Sequence, residues 1–464
     1  MIRPPHFFRG YSHSGPFDHL QRVPLLLYGP GHVPSVGTVG EPVTLTSLAP
    51  TLAQHLGYDF DTPDGEPLQE AVVPEMDPPK LVVVVVWDAA GRNVLDEYRA
   101  EWAAVRRLIP EGAWFERATV GTTPSMTPPV HATMGTGVYP RDHGIPDFVM
   151  RDGDALIGSL GSGPSSLLVP TLGDRYDRDR ANRPLIGLVG WEPTLGMLGH
   201  GSFLQGADRD LALTTKQGEW GLSPGNRRYF RLPRYVETIG GLDREAARVD
   251  LEDGQLDGEW FGQPLATPLD IEYSPAYSRY QTRVLAQLIE REGFGTDALP
   301  DLLFTNYKQV DRVAHTWSFP SRQMRAVVAG VAQELMKLIH ILDRKVGKGQ
   351  WLLALTADHG ATPLASETGG FAIDREELEA DILATFDTDG DRNQAIQRLL
   401  ETQLWMDVRE LRENGYTLED IAAYLMSYTA ADNALDPSAL PESLRQDRLF
   451  RAALPGSVLD SLPC

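Results

Sequence analysis

Cysteine is almost missing from this sequence. The 464 residues include one, Cys464, so neither an internal disulfide nor a cysteine-based zinc site can form. Long apolar runs are missing too: the longest is Leu81 to Trp87, where a helix needs about 20 residues to cross a bilayer. No membrane partner is expected. The opening stretch from Met1 to His6 has no basic region leading into an apolar one, so the sequence predicts no secretory signal and a cytoplasmic location. Basic residues are in deficit: 42 Lys and Arg stand against 64 Asp and Glu, a net charge of −22. That excess repels phosphate backbones and excludes a nucleic-acid polymer as partner. There is no repeat of fixed period and no low-complexity tract. Histidine is absent from the last part of the chain, where none of the 11 lies beyond His359.

What is present reads as an ordinary globular composition, 42% hydrophobic and 23% charged. The β-branched run Leu81–Trp87 predicts a strand buried on both faces of a parallel sheet. It ends at Asp88, on the edge where open α/β sheets collect ligands. Leu302–Thr305 and Trp351–Leu355 follow the same pattern, the second running into Asp358-His359-Gly360, and Val23–Tyr28 is a fourth strand. Helical patterns at Tyr277–Arg291 and Gln323–Leu342 alternate with them. The expected fold is therefore α/β, a doubly wound, mostly parallel sheet flanked by helices. Residues 155–275, rich in Gly, Pro and aromatics, read as an inserted cap. Core halves are expected at 81–154 and 276–366, a linker at Pro74–Lys80, and an acidic helical region at 367–464 whose helices start at Asp374 and Thr417.

Carboxylates and imidazoles at strand ends suit divalent metals used in phosphate chemistry. Four clusters qualify. Asp88 follows a strand. Asp311 and His315 share a face if their segment is helical. Asp358 and His359 reach one ion from a turn that Gly360 permits. Thr127, ahead of Pro128 and Pro129, is a hydroxyl that neighbouring metals could activate.

Together these resemble the alkaline phosphatase superfamily, most closely its nucleotide pyrophosphatase/phosphodiesterase branch. The resemblance rests on Thr127-Pro-Pro-Val-His131, Thr136-Gly137, Tyr139-Pro140 and His143-Gly-Ile145, and on the order Asp88, Thr127, Asp311/His315, Asp358/His359. It implies an alkaline phosphatase-like core that hydrolyses phosphate esters. Asp311 and His315 would hold one ion and Asp88, Asp358 and His359 another, with Thr127 between them as the nucleophile of a phosphothreonine intermediate. Two Zn2+ per chain are implied, with Mn2+ as the alternative, and a small phosphorylated substrate such as a nucleotide. A phosphomonoesterase on the same core and a metal-binding homologue without catalysis are the rivals. The branch completes its first zinc site with a later histidine, which this chain lacks. Its closing segment resembles instead the front of the chain: His13 ahead of Pro16-Phe17, then Val23-Pro-Leu. Residues 1–73 are thus expected to be a circularly permuted closing segment, with His13 the third ligand beside Asp311 and His315.

The other candidates have plainer readings. Ser125 is a rival nucleophile set two residues wrong relative to His131. His131 and His143 are expected to bond loop backbone, His200 to be a loop histidine, and His19 and His32 to be surface residues. Asp387–Asp391 reads as a turn, its glycine misplaced for a calcium loop. Trp191, Trp220, Trp260 and Tyr273 are packing residues or a base-stacking surface. The resemblance places an asparagine 21 residues after the nucleophile, where this chain has Phe148. Asn93 and Lys308 are the candidates to replace its contact.

Overall fold

The computed structural model describes residues 13–74, 76–159, 166–200 and 210–461. The expectation that Met1 and Cys464 lie on one side of the domain, and the first 12 residues of the front segment, fall outside them. Two compact units are present, His13–Thr362 and the described residues from Pro363 onward.

In the larger unit one sheet carries nine strands: β1 (Leu25–Tyr28), β2 (Gly37–Val39), β3 (Leu81–Trp87), β4 (Ala113–Phe115), β5 (Ile186–Trp191), β6 (Leu211–Lys216), β7 (Glu219–Gly221), β8 (Asp301–Tyr307) and β9 (Trp351–Thr356). Their order is β7-β6-β5-β8-β3-β9-β1-β4-β2. The run β6-β5-β8-β3-β9 is parallel throughout, while β7 and β1 pair antiparallel with their neighbours. All seven residues of β3 and of β8 are buried, because helices cover both faces of a parallel sheet. Among those helices are α1 (Thr127–Thr136), α2 (Pro275–Glu292), α3 (Gln309–Trp317) and α4 (Arg322–Leu342). This is the α/β architecture expected.

One expectation needs correcting. Residues 155–275 do not form a cap outside the sheet, since they supply β5, β6 and β7. Glycines disguise the strand signal of β5, and packing requires them: a Cβ on Gly190 would lie 3.0 Å from the Cβ of Asn306 in β8, and one on Gly187 3.1 Å from the ring of Phe294.

Strand direction decides what reaches the site. The parallel strands β5, β8, β3 and β9 finish on one edge. Because β1 is antiparallel, Leu25 at its start pairs with Thr356 at the end of β9, so the segment preceding β1 arrives at that same edge. Antiparallel to β1, β4 finishes there as well and leads on to Thr127.

The smaller unit packs Leu378, Ile382, Phe386, Leu411, Ile421 and Tyr428 into its own core. Its helices Arg375–Phe386 and Leu418–Ser427 are capped by Asp374 and Thr417 as expected. Asp387–Asp391 forms a turn whose backbone is held by Asn414. Among the described residues, no helix is long and apolar enough to cross a membrane.

Candidate active site

Thr127 opens α1 with Met126 as its cap. Pro128 and Pro129 fit because the first helical N–H groups have no partner within the helix in any case. That helix end favours an anion, and Thr127 is fully buried there.

Two donor triads lie beside it. In the first, His13 Nε2 is 3.1 Å from Asp311 Oδ1 and 3.2 Å from His315 Nε2. Asp311 and His315 stand one turn apart on α3, their contact atoms 3.3 Å apart. In the second, His359 Nε2 lies 3.6 Å from Asp88 Oδ1 and 3.5 Å from Asp358 Oδ2. The three donors of each triad fall within 4.8 Å of one another, and all six residues are buried. The rings of His13 and His359 stack at 3.5 Å, joining the triads.

The triads fit divalent cations on an observation independent of any resemblance. Asp358 Oδ2 and His359 Nε2 are buried yet have no hydrogen-bond partner. Buried polar atoms are seldom left so unless something else engages them. Burial brings His13 and His359 down to about 4, aided for His13 by the charge of His359 and only partly offset for His359 by the carboxylates of Asp88 and Asp311. Both imidazoles are therefore neutral, the form that binds metal. His359 donates Nδ1–H to the Gly360 carbonyl at 2.9 Å, which leaves Nε2 as the lone-pair nitrogen.

Supporting groups hold the ligands in place. Ala89, in the left-handed region at φ 60°, donates its N–H to Asp358 Oδ1 at 3.1 Å. Asn306 donates to Asp88 Oδ2 at 2.9 Å. His131 donates from Nδ1 to the Thr127 carbonyl at 2.8 Å, the backbone bond expected, and its Nε2 faces Asn306 at 3.3 Å. Gly360 is required for space: a Cβ there would sit 2.1 Å from the His19 carbonyl. Gln21 donates to the carbonyls of Gly15 and Thr122, tying the His13 segment to the Thr127 loop.

Lys308, at the end of β8, occupies the centre. Its Nζ donates to Asp88 Oδ1 at 2.8 Å and to Thr127 Oγ1 at 3.2 Å, and lies 2.9 Å from Asp311 Oδ2. Lys308 thus touches both triads and the hydroxyl between them. Burial alone would push Asp311 up, but the charges of Lys308 and His315 outweigh it and hold the carboxyl well below its usual range. For Asp88, burial and the Asp358 carboxylate prevail and raise it.

The other candidates lie elsewhere. Ser125 donates to the Gly15 carbonyl at 3.3 Å. His143 contacts Thr133 Oγ1 and accepts from the Ile145 N–H. His200 is held by Asp174 and the Leu167 carbonyl. Asn93 donates to the Ala361 carbonyl. His32, expected on the surface, is buried against the Gly349 carbonyl, so that expectation fails. Trp260 is fully buried, and Trp220 packs on Tyr277 and Tyr280. Trp191 ends β5 beside the site, with Lys308 Nζ 4.3 Å and the Arg312 guanidinium 5.5 Å from its ring centre, and Phe148 leans on it at 5.7 Å. Sequence reasoning missed Arg312, which pairs with Glu272 at 3.0 Å. Its place directly after Asp311 was the available signal.

A threonine at a helix start, flanked by two buried Asp/His triads on the carboxyl edge of an α/β sheet, defines a candidate binuclear metal centre. Comparison with known sequences agrees: the profile of the type I phosphodiesterase / nucleotide pyrophosphatase family matches residues 82–159 and 223–449, well over half the chain. The protein belongs to that family, within the alkaline phosphatase superfamily. It is 26% identical over 174 residues to alkaline phosphatase PafA of Elizabethkingia meningoseptica, covering 34% of this chain and 31% of that one. It is 24% identical over 308 residues to alkaline phosphatase PhoD of Zymomonas mobilis, covering 61% and 53%. A calcium-transporting ATPase of Myroides odoratus is 24% identical over 341 residues, covering 62% and 61%. The chain thus spans between 31% and 61% of the length of these relatives. The crystal structure of wild-type alkaline phosphatase PafA superposes with a TM-score of 0.58 at 19% identity, covering 81% of this chain and 82% of that one, and shares its fold.

Proposed function

We propose that the protein is a metal-dependent phosphoester hydrolase with Thr127 as its nucleophile. The observation that carries this reading is the meeting of both triads and Thr127 Oγ1 at the Lys308 ammonium. Asp311, His315 and His13 would hold one ion and Asp88, Asp358 and His359 the other. Zinc suits three carboxylates and three imidazoles better than magnesium, which prefers oxygen donors and retained water. When bound, the ions supply Lewis-acid stabilisation of charge on the phosphoryl and leaving oxygens.

The chain's own residues do the rest. Lys308 donates toward Thr127 Oγ1 and so favours its deprotonated form. The hydroxyl proton passes to solvent water, the oxygen attacks phosphorus as the bond to the leaving oxygen breaks, and the leaving oxygen takes a proton from solvent water as the alcohol departs. The resulting phosphothreonine is cleaved by water, which returns the threonine hydroxyl and releases phosphate. The Thr127 N–H, at the start of α1, is placed to donate to the transferred group. The test is hydrolysis of p-nitrophenyl phosphate and bis-p-nitrophenyl phosphate by the zinc-loaded protein. Two bound ions with no turnover of either ester would favour a metal-binding homologue without catalysis.

The front segment we read as a permuted closing segment. The antiparallel seat of β1 beside β9, the reach of His13 into the first triad, and a family match that starts at residue 82 support it. A rearranged chain that begins at Lys80 and carries residues 1–79 behind residue 464 through a flexible linker should fold and bind two ions. An insoluble product would count against the reading.

A further inference from the structure

We propose that a cavity among the helices of the larger unit, separate from the metal triads, binds a compact anion with two phosphoryl groups. The cavity lies between the helix Leu242–Asp250, α2 and α4, and contributes no residue to either triad. Its volume of about 460 Å³ falls within the range of about 300–1,000 Å³ that small ligands occupy. In a chain of net charge −22, four cationic side chains gather here: Arg248 from the first helix, Arg279 and Arg283 from α2, and Lys337 from α4. Two almost fully buried carboxylates line the cavity with them. Glu245 accepts from Arg248 at 3.0 Å and also from Arg283, so one carboxylate serves two guanidiniums. Glu334 accepts from Lys337. At the rim Glu252 takes Arg279 at 2.6 Å, while Arg244 adds a further cation 3.9 Å from Glu245. With or without the rim pair, these groups carry two positive charges in excess, and a bound anion would balance them.

The lining also indicates what the anion carries. No aromatic side chain is among the described residues that line the cavity, and Ile341 is the one large apolar residue there, so a base has no surface to stack on. The Thr282 hydroxyl is already spent on the Ser278 carbonyl at 3.1 Å and the Tyr307 hydroxyl at 2.8 Å. Recognition therefore falls to guanidiniums and an ammonium, the groups that bind phosphate oxygens best. Arg279 and Arg283 stand one turn apart on α2, a separation of about 5–6 Å between Cβ atoms. Two donors so spaced suit two linked phosphoryl groups better than one.

Calorimetry with methylenediphosphonate, a diphosphate analogue whose P–C–P bridge resists hydrolysis, tests the site on zinc-loaded protein with free zinc buffered in cell and syringe. The titration needs no turnover, so its outcome is independent of the hydrolase reading. Arg248→Gln and Lys337→Gln are compared with wild type and with Arg409→Gln, which removes the same charge from the smaller unit. The side chains of Arg248 and Lys337 are 62% and 56% exposed, so both variants should fold. Any binding at the metal centre is common to all four proteins, and the differences report the cavity. Loss of a charge-assisted hydrogen bond costs about 10- to 100-fold in affinity. Each cavity variant should bind the diphosphonate at least about tenfold more weakly, while Arg409→Gln should match wild type. Equal affinities throughout, or an equal drop in Arg409→Gln, would overturn the site. ADP carries the same two phosphoryl groups and a base, and should bind the cavity no more tightly than the diphosphonate. An Arg248-dependent ADP affinity about tenfold higher would overturn the compact class. A wild-type crystal soaked in the diphosphonate needs no variant: density is expected beside Arg283, and an empty cavity would refute the proposal.

Discussion

Replacing His13 by alanine is the sharpest perturbation of the first triad. Its Nε2 lies 3.1 Å from Asp311 Oδ1 and 3.2 Å from His315 Nε2, and the residue is 4% exposed. The variant leaves two donors where three converged. Removing groups that merely orient a metal ligand costs about 10- to 100-fold in affinity. Loss of a direct donor should therefore cost at least about 100-fold, which is about 2.8 kcal/mol. Asp88, Asp358 and His359 keep all their donor atoms, so the second site should stay filled. Protein dialysed against a ladder of buffered free zinc, then analysed for metal, reads this directly. Wild type should hold two ions across the ladder. His13→Ala should hold one, regaining the second only at about 100-fold higher free zinc. A variant that binds both ions at the wild-type zinc level would refute His13 as a ligand and leave the permuted reading without its main support.

Other outcomes follow from single side chains. Thr127→Ala should lose about 10³-fold or more of ester turnover with both ions and the melting temperature retained; a variant keeping most of its activity would exclude Thr127 as nucleophile. Gly360→Ala places a Cβ 2.1 Å from the His19 carbonyl, which should cost about 1–3 kcal/mol and empty the Asp358/His359 site; wild-type melting and zinc content would contradict it. Asp177 is fully buried with neither oxygen partnered, and burial, then the nearby Asp174, pushes it up to about 7 from 3.8. Below about pH 4 both folded and unfolded chains hold its proton. As pH rises toward 7 only the unfolded chain releases it, so the fold loses stability, by up to about 4 kcal/mol at 1.4 per unit. Asp177→Asn should thus raise the melting temperature at pH 8 and change it little near pH 4. A gap that is constant across pH would show that Asp177 is not protonated in the fold.

The strands Leu81–Trp87 and Trp351–Thr356 were legible in the sequence because both faces are buried and their residues are almost all apolar. Asp88, Asp358 and His359 were legible for a related reason: a parallel strand fixes where its carboxyl end points. His13 and His315 are 302 residues apart, and no local periodicity joins them. His13 emerged only through resemblance. The strands Ile186–Trp191 and Leu211–Lys216 were hidden, the first by glycines that packing against Asn306 and Phe294 demands and the second by polar threonines. Lys308 was legible in the sequence, with Asn93, as a candidate for the missing asparagine's contact. Its reach to both triads was not, because a strand's end does not give the direction of the side chain that follows it.

The most direct measurement is a crystal structure of the zinc-loaded protein with anomalous data at the zinc edge, collected after soaking in vanadate. Two anomalous peaks are expected, one among His13, Asp311 and His315 and one among Asp88, Asp358 and His359, with vanadium bonded to Thr127 Oγ1. One peak or none in the triads, or vanadate bound away from Thr127, would contradict a two-metal phosphoester hydrolase.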